Sequence, residues 1–123
     1  MTEVLYSKAY DLQKFYDACN TPKVTVSYDA VVWAAKHGLE TEDDIKTYLY
    51  ERKLKNEKYI HTKEWENNPN KKKLILVDSY SCMLSTFPTY FAFLFPKLGK
   101  WFLKSLKDLD PKYLKSHTKK AIS

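Results

Sequence analysis

Eighteen consecutive residues, 79–96, contain no charged side chain, and this run constrains the fold more than any other feature of the sequence. Lysines flank it at 71–73 and again at 97 and 100. A membrane-spanning helix needs about twenty predominantly apolar residues, and Pro88 and Pro96 interrupt this run. Three interpretations compete: a kinked span, a shallow membrane insertion, and a pair of soluble core helices broken at the prolines. We favour membrane contact through a kinked helix over 79–96.

The aromatic side chains in and after this run are the candidate buried surface. On a free chain of 123 residues, a large exposed aromatic patch is a liability, so we expect lipid or a partner protein to cover it. The predicted membrane- or partner-burying residues are Phe87, Tyr90, Phe91, Phe93, Phe95, Trp101 and Phe102.

Four lysines follow the run at the spacing of one helical face. They are Lys97, Lys100, Lys104 and Lys107, and apolar residues including Trp101 and Phe102 lie on the opposite face of the predicted helix. A lysine face opposite aromatic residues is typical of a helix lying at the surface of an anionic bilayer. We therefore predict that these lysines contact lipid or another anion.

The net charge of +6 is unevenly distributed. Residues 1–60 contain nine basic and ten acidic side chains, whereas residues 61–123 contain twelve and five. Arg52 is the only arginine. Because arginine reads base edges and lysine acts as a point charge, sequence-specific recognition of nucleic acid is not expected. Nonspecific contacts between lysine and phosphate remain an alternative.

The first half of the chain predicts helices. Apolar residues recur at three- and four-residue intervals over 2–19 and 28–37, with Ser27 as an N-cap and Gly38 in a left-handed conformation at the helix end. Thr41 begins a third helix. Between the first two, residues 24–26 form a short extended segment, and a last short helix starts at 110–111.

These patterns predict a mainly α fold, a small helical domain of about five helices. Its parts are a helical hairpin region at 1–60, a polar linker at 61–73, and the apolar and aromatic segment with basic amphipathic helices at 74–123, all in one compact unit.

Motifs that carry chemistry are missing from the sequence. Gly38 and Gly99 are too far apart for a phosphate loop, and Cys19 and Cys82 form no CxxC pair. The apolar run ending at Asp78 is like a metal-binding strand of an α/β nuclease, but too few carboxylates follow it. No histidine pairing or nucleophile motif occurs either, so we predict a protein that is not an enzyme and has no cofactor and no metal.

The resulting hypothesis is a non-catalytic accessory subunit of a larger membrane-associated complex, with other subunits and anionic lipid as partners. Because the start of the chain has no secretory pattern, we expect an intracellular protein, at the mitochondrial inner membrane if the organism is eukaryotic. The alternatives are a small nucleic-acid-binding protein, viral for example, and a small protein inhibitor or adaptor.

Overall fold

The computed structural model describes residues 6–97 and 99–113 and shows a mixed α/β fold. Strands account for 39% of the described residues and helices for 25%, so the prediction of a mainly α fold with about five helices is wrong. The elements are α1 (Leu12–Ala18), β1 (Val24–Val26), α2 (Tyr28–Ala35), α3 (Glu42–Tyr50), β2 (Lys55–Glu64), β3 (Leu76–Leu84), β4 (Phe87–Lys97), β5 (Lys100–Asp108) and a 3-10 turn, Pro111–Tyr113.

The strands form a single five-stranded sheet in the order β1-β5-β4-β3-β2. Strands β2 to β5 pair antiparallel with their neighbours in the chain, and β1 adds to the edge of β5 in parallel. The three helices pack on one face of this sheet. The opposite face has no helix of the described residues on it.

The uncharged aromatic run forms the β3–β4 hairpin, so the predicted helix over 79–96 is wrong. Its large side chains follow a two-residue period, which directs Tyr80 and Cys82 of β3, and Phe91 and Phe93 of β4, towards the helices. Ser85 has a positive φ of 55° in the connecting turn, a conformation more often taken by glycine. Among the described residues, no helix has the length and apolarity needed to cross a membrane.

The predicted lysine-faced helix is strand β5, and a β-bulge explains the error. Ala92 pairs with Ser105, but the next residue of β4, Phe93, pairs with Leu103, so Lys104 is the extra residue. The bulge puts Leu103 and Leu106 on the same side of the sheet at a three-residue spacing. That spacing is the one expected of a helix.

Predictions about short-range structure are confirmed. The Ser27 side chain accepts a hydrogen bond from the amide of Ala30 at the start of α2, and Thr41 and Asp44 form a reciprocal capping box at the start of α3. Gly38 has a φ of 93°, and residues 24–26 are extended. The first helix starts much later than predicted, after its N-cap Asp11.

The main core lies between the helices and the sheet. Phe15 of α1 stacks on Phe93 of β4, with ring centroids 4.2 Å apart and an angle of 7° between the rings. Ile45 and Leu49 of α3 are also buried there. Burying one such side chain contributes about 1.5–3 kcal/mol, so this layer holds the helices firmly against one face of the sheet.

Candidate functional site

The helix-free side of the sheet, called the open face below, is the candidate site. Side chains alternate between the two faces of a sheet, so the strand pairing shows which residues lie on this one. Lys104, in the β5 bulge, lines cavities together with open-face residues of β2 and β5. The lysines that strand pairing and these cavities assign to the open face are Lys55, Lys58, Lys63, Lys104 and Lys107.

Three carboxylates of β2, β3 and β5 face the other way, towards the helices. Glu57, Asp78 and Asp108 each accept a hydrogen bond from the helical side. The donors are Tyr16 Oη to Glu57 (2.8 Å), the Tyr10 amide to Asp78 (2.9 Å) and Trp33 Nε1 to Asp108 (2.9 Å). In the described strands, the sheet thus separates charge, with lysines on the open face and these carboxylates behind it.

Three neighbouring cavities, with volumes of about 460, 320 and 200 Å³, lie on the open face or at its edge. The first lies at the edge of the sheet, where Ser27, Asp29 and Ala30 at the start of α2 also line it. The first two share Trp65 and Phe102, and the first and third share Lys104. Acidic residues line them only in part: Asp29 in the first cavity, and Glu64 and Glu66 in the third. Because it shares lining residues with both others, the first cavity is adjacent to each of them, and each of the three has at least one lysine in its lining.

A polar cluster of His61, Ser79 and Tyr90 lines the third cavity. Ser79 Oγ lies 2.7 Å from His61 Nδ1 and donates to the His61 carbonyl oxygen at 3.1 Å. Burial lowers the pKa of His61, and the charges of Lys63 and Lys112 lower it further. The His61 imidazole is therefore mainly neutral at pH 7, and the positive charge in this cavity comes from its lysines.

A serine next to a histidine is a common pair in nucleophilic catalysis. Here the two residues are directly paired across β2 and β3, and Ser79 is only 1% exposed. The contact therefore links the two strands, and its geometry gives no separate support for catalysis.

Trp65 lies on an ordered loop after β2. Its amide donates to the Ile75 carbonyl oxygen at 2.9 Å, and the Asn68 side chain closes the loop by donating to the Lys73 carbonyl oxygen at 2.7 Å. The Trp65 and Phe102 ring centroids are 6.2 Å apart, with 52° between the ring planes. The two rings are thus in contact without stacking face to face.

The lysines predicted as anion-contacting fall into three groups. Lys104 and Lys107 lie on the open face, and the Nζ atom of Lys107 is 5.2 Å from the centroid of the Tyr90 ring. Lys100 begins β5 and lines the 320 Å³ cavity. The side chain of Lys97 lies outside the described residues.

The predicted burying aromatics are spread over both sides of the sheet. Phe91 and Phe93 are fully buried in the core of this chain, so no lipid or partner is needed to cover them. The others are more accessible: Phe87 is 44% exposed, Tyr90 and Phe102 lie on the open face, and Phe95 contacts Trp101 with ring centroids 4.7 Å apart.

Sequence reasoning missed the contribution of β2 to this face. It assigned residues up to 60 to a helical hairpin region and residues 61–73 to a polar linker. The signal was present as a two-residue alternation, because His61, Lys63 and Trp65 alternate with Thr62 and Glu64. That alternation is typical of a strand with two different faces.

Comparison with known proteins finds no matching family model, no matching curated protein and no matching solved structure. Within 6–97 and 99–113, no group of three or more His, Cys, Asp and Glu side chains is placed to hold a metal ion.

Proposed function

We propose that this protein binds nucleic acid through the open face, by electrostatic contacts between its lysines and backbone phosphates. The observation that carries the proposal is the separation of charge across the sheet. Lysines project from β2 and β5 on one side, while Glu57, Asp78 and Asp108 are engaged on the other. A surface with an excess of positive charge raises the local concentration of an oppositely charged polymer.

The chemistry of the face favours contacts that do not depend on base sequence. Lysine binds phosphate as a point charge, and the only arginine, Arg52, is bonded to Asp17 and Gln13 on the helical side. Half-buried aromatic rings next to the lysines are also typical of sheets that bind single-stranded nucleic acids.

The accessory-subunit hypothesis stays a prediction. Its main premise was an aromatic run in need of cover, and this chain's own helices bury the centre of that run, Phe91 and Phe93. The lysines of the open face, with the half-buried rings of Tyr90 and Phe102 beside them, support the nucleic-acid alternative.

The test is the salt dependence of binding to a fluorescent single-stranded oligonucleotide, measured by anisotropy. Each neutralised phosphate changes the slope of log K against log salt by about 0.7 for single strands, so losing three contacts should make the slope shallower by about 2. The variant is Lys63→Gln with Lys104→Gln and Lys107→Gln.

A matched variant controls for net charge: Lys14→Gln with Lys36→Gln and Lys46→Gln on the helices. It loses the same charge and should keep the wild-type slope. Equal slopes for the two triple variants would contradict the proposal, as would wild-type protein that binds anionic lipid vesicles but not the oligonucleotide.

A further inference from the structure

The 320 Å³ cavity next to the open face differs chemically from the other cavities. It lies where the start of β1, the end of β4, the start of β5 and the loop after β2 meet. Its lining residues are Pro22, Lys23, Thr25, Trp65, Pro96, Lys100, Trp101 and Phe102. We infer that it binds one unpaired nucleobase, with the attached phosphate at Lys23 and Lys100, an inference that rests on the proposed function.

The walls suit a flat ring. Binding cavities for small molecules span roughly 300–1,000 Å³, so this one is of a size for a single ring system. Trp65 and Phe102 contribute aromatic ring surface, and two prolines complete the walls. Stacking on such side chains is available to every base because each has a π face.

The aromatic walls are held in place before any ligand arrives. Phe102 is fixed by its neighbour Trp101, whose ring packs on the helical side against Phe15 and Phe93, with centroid distances of 5.7 and 6.0 Å, and whose amide donates to the Lys23 carbonyl oxygen at 2.7 Å. Trp65 lies on the ordered loop described above. A wall that is already positioned loses little conformational entropy when a ring binds.

Charge selects the kind of ring. Lys23 and Lys100 are the charged residues among the described lining residues, and none of those residues is acidic. An aromatic cavity can also hold a cationic group, such as a methylated lysine, through cation–π contacts. Two lysines without a carboxylate repel such a cation and attract a ring that carries a phosphate.

The position of the cavity suits a nucleotide within a strand. It shares Trp65 and Phe102 with the 460 Å³ cavity, which Lys104 and Lys107 also line. A strand with one base in the smaller cavity therefore continues directly onto the lysines of the open face. A base in a duplex is stacked and paired, and it must leave the helix to enter such a cavity. The cavity thus makes this protein prefer single-stranded over double-stranded nucleic acid.

The experiment compares a fluorescent oligothymidine of about 12 nucleotides with a hairpin duplex of equal charge. Wild-type protein should bind the single strand about 10-fold more tightly, because stacking of one base has an effect of that size. Trp65→Leu should remove this preference, whereas Trp65→Phe, which keeps a ring, should retain most of it. Trp65→Leu should weaken binding of the duplex by a much smaller factor than binding of the single strand.

A second variant, Lys23→Gln with Lys100→Gln, tests the cavity without altering its aromatic walls. It should weaken binding of the single strand more than binding of the duplex. Circular dichroism and thermal unfolding identify variants that have lost the fold.

The outcomes separate the two proposals. If wild-type protein binds both probes equally with a lysine-dependent salt slope, the base-binding cavity is refuted and the proposed function stands. If it binds neither probe, both fail. Binding of a trimethyllysine peptide in the cavity, abolished by Trp65→Leu, would also overturn the inference.

Discussion

Asp78 connects the sheet to the segment before α1, and its removal is the sharpest test of the packing described above. Its side chain is completely buried and accepts hydrogen bonds from the amides of Ala9 and Tyr10 at 2.9–3.1 Å. The hydroxyl group of Thr62 donates to it at 2.5 Å. The carboxylate thus serves three donors.

The cost of losing this acceptor follows from the three contacts. A hydrogen bond to a charged group contributes about 1.5–3 kcal/mol, and a donor left buried and unpaired costs about 1–3 kcal/mol. Water can reach the exposed Ala9, so the three contacts do not add fully. We expect Asp78→Ala to lower the free energy of unfolding by about 3–5 kcal/mol. That loss is a large part of the roughly 5–15 kcal/mol typical of a domain.

Urea unfolding followed by circular dichroism measures the loss, and amide hydrogen exchange locates it. Asp78→Asn keeps the size of the side chain but replaces one acceptor with a donor, so it should be destabilised less than Asp78→Ala. In both variants the amides of Ala9 and Tyr10 should exchange faster. Asp43→Asn, an exposed acid in the first turn of α3, is the control and should change stability by no more than about 1 kcal/mol.

A loss of less than about 1 kcal/mol in Asp78→Ala, or wild-type protection of the Ala9 and Tyr10 amides, would refute this role of the Asp78 carboxylate. Either result would mean that the segment before α1 is held by something other than this carboxylate.

Two further predictions concern titrating groups. The pKa of His61 is lowered in the folded state, so its contribution to stability is present above the unfolded pKa of about 6.5 and is lost as the pH falls through the lower folded value. Between about pH 7.5 and 5, His61→Gln should therefore lose less stability than wild type, as measured by urea unfolding. Identical losses in the two proteins would contradict this prediction. Burial raises the pKa of Cys19 to about 12 and also raises that of Cys82. Both thiols should therefore react with iodoacetamide far more slowly in the folded than in the unfolded protein, as measured by mass spectrometry. Equal labelling rates in the two states would show that the thiols are accessible.

Short-range structure was predictable from the sequence wherever neighbouring residues determine it. The Ser27 cap, the capping box at Thr41 and the positive φ of Gly38 each depend on contacts within about four residues. The sheet depends on pairings between distant residues, and composition alone does not reveal them. In the 79–96 run, neither face of the strands carries a charge, so no charged residues mark the two-residue alternation of Tyr80, Cys82 and Leu84.

The candidate site was predictable only in part. Lys104 and Lys107 were selected as anion-contacting residues, but for the face of a helix. The other lysines of the open face come from β2, which is more than forty residues earlier in the chain and is separated from β5 in the sheet by two strands, β4 and β3. The bulge at Lys104 hid the strand period, and an alternation broken once is easily taken for a helical one.

The parallel pairing of β1 with β5 has a consequence for biosynthesis. Val24 pairs with Trp101, so β1 cannot form its pairing with β5 until the ribosome has added 77 further residues after Val24. At about 5–20 residues per second, that delay lasts roughly 4–15 s. During it, the apolar sides of the three helices have no sheet to cover them, since β4 and β5 supply Phe91, Phe93 and Leu103. Until β5 has emerged, chaperones can therefore bind these apolar surfaces, and nascent chains can associate through them.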